Sequence, residues 1–383
     1  MLTRIRSLIV LLAALSVVAF GCAKKPAPST SVMDSPEYHY KTGLRYLDKD
    51  QLDDALRSFD RAIALDPKSP LGHIGKGLAL GRKGDFKPAF ENMSKGKSLD
   101  KGIEANIGLI RLSSMQRAKG WLPEAEDEFK AARKKDPNSA PLHYYMGMAY
   151  KVSFDFDKAA EMFRKVLDLN KEFTNEANAE WALIQKIQRA APGTEIGKKI
   201  ALIDKIDRAD VAALFDQEMN LEKLYTKRGT KTYDTSFKAP TESSTKINTE
   251  TTIKMEPATD ISNHWLKPSI DAVLKFQIRG LEAGPDHTFD PDKLITKGEF
   301  ALMLEDILIK VSGDEKLATK FLGATSPFPD IRNDQYFFSA AMTAASRGYI
   351  EADKATGEFK PGDPVSGADA LLSIRAFKDQ LKI

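Results

Sequence analysis

Very few side chains in this 383-residue chain are placed to do covalent chemistry. Cys22 is the single cysteine, and nothing nearby supplies the base that would hold it as a thiolate. His39, His73 and His143 fall at the same early position of a repeated unit, one unit apart, so a single ion could not gather them. His264 and His287 have no evident catalytic partner. Asp286, Asp290 and Asp292 suggest a calcium loop, but Lys297 stands where a bidentate glutamate must close it. Gly96-Lys97-Ser98 has the closing residues of a phosphate-cradling loop, yet Glu91 replaces its first glycine. The expectation is a protein that is not an enzyme and uses no cofactor and no metal.

What remains is a pattern of helix starts. Asp207, Thr296 and Ser366 are good N-cap residues, and Asp210, Glu299 and Asp369 follow three positions later. That spacing lets each acid satisfy free N–H groups at a helix start, so these acids read as structural. Arg208 and Lys297 sit directly after two of the caps, where a cation opposes the helix dipole. An anionic ligand would relieve that opposition, helped by the helix N–H groups.

The elements that position these residues are repeats. Between Pro36 and Lys171 four units recur at roughly 34 residues, the period of a helix–turn–helix repeat. Gly43, Tyr46, Ala55, Phe59, Ala62 and Pro67 mark the first, and Gly77, Leu80, Ala89, Met93 and Gly96 the second. Ser113, Ala125, Phe129, Ala132 and Pro137 mark the third, after extra residues between units two and three; Gly147, Tyr150, Ala159, Phe163 and Val166 mark the fourth. Small residues allow close helix approach, and prolines stop the second helix.

These units resemble tetratricopeptide repeats (TPR), assigned here to 36–171. The resemblance implies a right-handed helical solenoid whose concave face binds a peptide or protein partner. By family geometry that groove is formed by Tyr40, Leu44, Ile74, Leu78, Ile110, Arg117, Tyr144, Met148 and Lys151. Its aromatic, aliphatic and cationic side chains would suit an amphipathic or acidic peptide. Residues 172–191 continue as a capping helix with Trp181, Ile184 and Ile187 on one stripe, until Pro192-Gly193 breaks it.

A longer repeat follows. Asp260-Ile261, Trp265 and Gly280 match Asp330-Ile331, Tyr336 and Gly348 in order, and the turn residues Phe289, Pro291 and Ile295 match Phe359, Pro361 and Val365 in both order and spacing. This pattern resembles the S-layer homology (SLH) domain, with a partial repeat at 192–225 and fuller ones at 259–312 and 327–383. The resemblance implies a mostly helical, pseudo-threefold domain that grips cell-wall polymer or peptidoglycan between copies. Carried over by position, the binding residues are Arg208, Lys297 and Trp265, while Gly367 replaces the cation in the last copy and weakens one groove. The fold class expected is therefore mainly α. Thr226 to Pro257, rich in Thr, Lys, Ser and Glu, reads as a polar linker or insertion spanning 226–258.

The address is read at the other end. Arg4 and Arg6 precede an apolar run from Leu8 to Phe20, too short to prefer a membrane span, as in a signal peptide over 1–21. Val18-Ala19-Phe20-Gly21-Cys22 resembles a bacterial lipobox, which implies lipidation of Cys22 and a membrane anchor, with 22–35 as a flexible tether. Ala23, in place of an aspartate, points by family analogy to the periplasmic side of the outer membrane. Fifty-seven basic against 54 acidic residues leave a net charge of +3, which gives no field for nucleic acid. Together these readings describe a lipid-anchored envelope scaffold. The alternative is an outer-membrane, pilus or secretion assembly adaptor whose SLH-like domain makes only protein contacts.

Overall fold

The computed structural model of the chain describes residues 34–228 and 258–381. The signal peptide, the lipobox with Cys22, most of the tether and most of the 226–258 linker lie outside the described residues. The fold is mainly helical, and the described residues contain no strand, only isolated β-bridges. Two compact units divide after Asn178.

The first unit is a row of helical hairpins. They are α1 (Pro36–Asp48) with α2 (Leu52–Leu65), α3 (Pro70–Lys83) with α4 (Phe86–Leu99), α5 (Glu104–Gln116) with α6 (Trp121–Lys135), and α7 (Ala140–Val152) with α8 (Phe156–Leu169). Local chemistry sets their ends. The Ser35 and Ser139 hydroxyls accept the Tyr38 and Leu142 N–H groups at 3.1 and 3.3 Å, with proline in the first turn of each helix. Gly84 closes α3 in the left-handed conformation (φ 86°), which costs glycine nothing.

Packing follows from the small residues. Phe59 is fully buried, and a Cβ added to Gly43 or Gly75 would lie 2.5 or 2.2 Å from its ring. One aromatic ring thus needs two bare backbones, and its burial contributes about 1.5–3 kcal/mol. Gly147 serves Phe163 in the same way, at 2.7 Å.

One feature of the third hairpin differs from the sequence reading. The extra residues fall inside it, in the turn Arg117–Gly120, and not between units two and three. Arg117 and Gly120 both take positive φ there, 49° and 84°.

The second unit begins within α9 (Thr174–Ala190). It holds α10 (Glu195–Ile200), α11 (Arg208–Ala213), a π-helical turn Leu214–Met219, α12 (Leu221–Arg228), α13 (Lys267–Leu274), α14 (Lys297–Ser312), a 3-10 turn Glu315–Thr319, α15 (Phe338–Ser346) and α16 (Gly367–Leu381). Its centre is a closed ring of three backbone hydrogen bonds. Ile206 N–H donates to Val365 O (2.9 Å), Ile295 to Ile206 (3.1 Å), and Val365 to Ile295 (3.0 Å). Each residue precedes a capped helix, α11, α14 or α16, so the ring is the axis of a pseudo-threefold. Around it α11 packs on α13, α14 on α15, and α16 on α10.

Short α10 therefore occupies the place of the first copy's leading helix. It is held by Glu218, whose buried carboxylate accepts Gly193 N–H (3.0 Å), Thr194 N–H (2.9 Å) and the Thr194 hydroxyl (2.6 Å). Asp260 and Asp330 do equivalent work in the other copies, accepting the N–H groups of Phe289 with Asp290 and of Phe359 with Lys360.

Candidate functional site

Two concave sites stand out, one in each unit. In the first, a cavity of about 960 Å³ runs along the leading helices. Tyr40 and Leu44 of α1 and Ile74 and Leu78 of α3 are among the residues that line it. The third and fourth hairpins depart from that reading. Ile107 and Arg111 face the cavity from α5, while Ile110 is fully buried and Arg117 caps the helix. Counting back from Ala125 across the lengthened turn displaces the register by about one helical turn. In α7, Tyr145 lines the cavity; Tyr144 is covered by Phe173, stacked on it at 4.7 Å and 17°. Met148 and Lys151 are half-buried and are not part of the lining.

Arg111 lies 4.4 Å over the Tyr145 ring, an arrangement worth about 0.5–1 kcal/mol at an exposed site. Burial raises the Tyr40 hydroxyl above its ordinary pKa; the Arg111 charge opposes this and Glu104 adds to it. These groups therefore share one electrostatic neighbourhood. Arg111 and Tyr145 escaped the sequence reading, although the i, i+4 pair Ile107/Arg111 is a visible helical-face signal.

In the second unit the capping boxes form at Asp207/Asp210 and Thr296/Glu299. The Ser366 hydroxyl accepts the Asp369 N–H at 3.1 Å. The three residues after the caps meet three different fates. Arg208 is only 9 % exposed. Its guanidinium donates to the carbonyls of Phe289 (2.6 Å), Glu282 (2.9 Å) and Gly280, and stacks 4.7 Å over the Phe289 ring. The ligand-binding cation expected at this position is instead engaged internally, because the loop after α13 brings three carbonyls to it.

Lys297 is the counterpart, 5.1 Å over the Phe359 ring, with Nζ 3.3 Å from Glu351 O. It is half-buried in a cavity of about 720 Å³ with Lys186, Arg189, Tyr349, Asp363 and Asp369. Burial pushes its ammonium below the ordinary lysine pKa, with Asp369 and Asp363 opposing. Lys186 pairs with Asp369 at 2.8 Å. Lys186 and Arg189 were not singled out by the sequence pattern; their i, i+3 spacing on α9 puts both cations at the cavity.

The third position is Gly367, where a Cβ would sit 1.8 Å from Ile200 O. Trp265 is 61 % exposed, as is Tyr336 at the matching place (76 %), but neither lines the Lys297 cavity.

The surroundings of Asp210 predict a pH-dependent stability for the unit. Burial and the Asp207 charge push its pKa from 3.8 to about 6, while its hydrogen bond with Asp207 opposes the shift. The folded form then holds a proton that the unfolded chain releases. Its stabilising contribution is complete below about pH 4 and is lost as pH rises through 6. Urea unfolding of the native chain and Asp210→Asn from pH 4 to 7 should differ by this falling component. An identical pH slope in both would contradict the assignment.

Comparison with known proteins follows the same division. Family models match residues 43–84 as a TPR repeat, 140–173 as a tetratricopeptide repeat and 327–371 as an S-layer homology domain. The chain thus carries tetratricopeptide repeats and a C-terminal S-layer homology domain. A comparison with curated proteins finds no match. Among solved structures, a thermophilic TPR protein of Thermus thermophilus is 21% identical, covering 48% of this chain and 91% of that chain with a TM-score of 0.36. PilF of Pseudomonas aeruginosa is 17% identical, covering 50% of this chain and 92% of that chain with a TM-score of 0.33.

Proposed function

We propose that the chain is a cell-envelope scaffold. Its tetratricopeptide groove recruits a protein partner, and its S-layer homology domain holds cell-wall polymer or peptidoglycan at the Lys297 cavity. In this reading Cys22 carries the lipid that tethers the chain to the outer membrane, and the repeats at 36–171, 192–225, 259–312 and 327–383 act as the two binding modules. Both modules are of non-catalytic, interaction type. No helix among the described residues is long and apolar enough to cross a membrane. The reading assigns attachment to lipid and wall contacts.

The observation that carries the wall-binding half is Lys297 itself. It is a half-buried cation lining an open cavity, with a single 3.3 Å carbonyl contact, next to Lys186 and Arg189. An anionic group on the polymer would complete its coordination. One charge-assisted contact contributes about 1.5 kcal/mol, roughly tenfold in affinity. Sedimentation of the purified chain with cell-wall sacculi should therefore pull it down, and Lys297→Ala should weaken binding about tenfold.

A second reading is favoured by the other two positions. Arg208 is committed to carbonyls and Gly367 has no side chain, so two of three equivalent places offer no cation. Failure of the native chain to pellet would support the assembly adaptor, in which this domain contacts only proteins.

A further inference from the structure

The charge of the first unit is arranged unevenly. Away from the cavity, acids are answered by cations: Asp34 by Arg61, Asp53 by Lys83, Asp60 by Lys76, Glu126 by Lys158 and Glu128 by Lys97. The cavity lining carries five more carboxylates, Asp48, Glu104, Asp136, Glu172 and Glu176. All five are exposed, and among the described residues no ion pair engages any of them. Only Arg111 and Lys171 oppose them in the lining, and Arg111 lies over Tyr145. A concave site lined by an excess of one sign of charge focuses its field and concentrates the opposite charge there. Its apolar surface, from Tyr40, Leu44 and Ile107, is half-buried and would bind an aliphatic or aromatic side chain.

We propose that this groove binds a basic amphipathic peptide segment of a partner, with lysine or arginine side chains answering the unpaired carboxylates and an apolar anchor seated against Tyr40, Leu44 and Ile107. The inference rests on the reading of the groove as a protein-binding site and adds the sign of its partner. It reverses the acidic peptide that Arg117 and Lys151 suggested, since neither lines the cavity.

The test is fluorescence anisotropy of the full chain with three labelled peptides of equal length: one built of Lys and Leu, one of Glu and Leu, and one of Lys and Ser. At physiological ionic strength the Lys/Leu peptide should bind at least tenfold more tightly than the other two. Glu104→Lys with Glu176→Lys should abolish that preference, whereas Asp53→Lys with Asp127→Lys, an equal charge change outside the lining, should leave it intact. Ile107→Ser should weaken Lys/Leu binding severalfold. Preference for the Glu/Leu peptide, lost with Ile107→Ser, would overturn the basic partner while keeping the groove as the binding site. Loss of preference in the outside pair as well would reduce the effect to overall charge and overturn the proposal. No binding of any peptide, or binding indifferent to Ile107→Ser, would remove the groove reading altogether.

Discussion

Gly367→Ala is expected to destabilise the second unit by more than about 3 kcal/mol, beyond the usual range for one added methyl. The new Cβ would lie 1.8 Å from Ile200 O and 2.6 Å from Ile200 C. Those are backbone atoms at the end of α10, so no side-chain rotation relieves the clash. The Gly367 N–H also donates to Ile203 O at 2.8 Å, and Ile206 of the same segment enters the central ring through Val365. Moving α10 away therefore strains the ring that joins all three copies. Gly362, in the preceding turn, has nothing within 4 Å of an added Cβ and is the control. Urea unfolding should show Gly367→Ala far below the native midpoint and Gly362→Ala close to it. Equal midpoints would mean that α10 does not close the threefold as described.

That contact explains what the sequence could and could not say about this domain. Repetition is legible because each copy needs the same caps and turns: Asp260 and Asp330 recur because each must accept two N–H groups of the turn around Phe289 or Phe359. The first copy breaks the pattern. Its leading helix has shrunk to Glu195–Ile200, and its anchoring acid is Glu218, which lies after α11 and not before α10. A residue from the wrong side in sequence cannot be recognised by spacing. Gly367 looked like a lost cation, whereas it is the consequence of how closely α10 approaches.

The solenoid was legible for a different reason and failed at a different scale. Gly43 with Phe59 and Gly147 with Phe163 recur at matching places in the pattern because each hairpin solves the same packing problem. Which residue faces the groove depends on helix phase, and phase is lost across any turn of altered length. The turn Arg117–Gly120 moved the inner face from Ile110 and Arg117 to Ile107 and Arg111. The unpaired acids of the groove are dispersed from Asp48 to Glu176, so only the folded arrangement reveals their shared sign.

Arg208→Ala and Lys297→Ala should separate stability from binding, although their sequence contexts are nearly the same. Arg208 is buried, and its planar fork serves three carbonyls at once. Burial holds its pKa below the ordinary arginine value, with nearby acids opposing, which is the signature of a desolvated cation. Truncation leaves those carbonyls without their donor and opens a void over Phe289, at a cost of about 3 kcal/mol. For a unit of this size that lowers the unfolding midpoint by about 6–12 °C. Arg208→Lys should recover only part of the loss, since an ammonium cannot present the same fork. Lys297 makes one long carbonyl contact and faces a cavity, so its truncation should change stability by less than about 1 kcal/mol while weakening sacculus binding. Thermal unfolding and sedimentation on the same two variants decide the assignment. A stable Arg208→Ala chain that no longer pellets would return Arg208 to the ligand and take the clamp away from it. An unstable Lys297→Ala chain would mean that its carbonyl contact, and no wall polymer, is what the lysine serves.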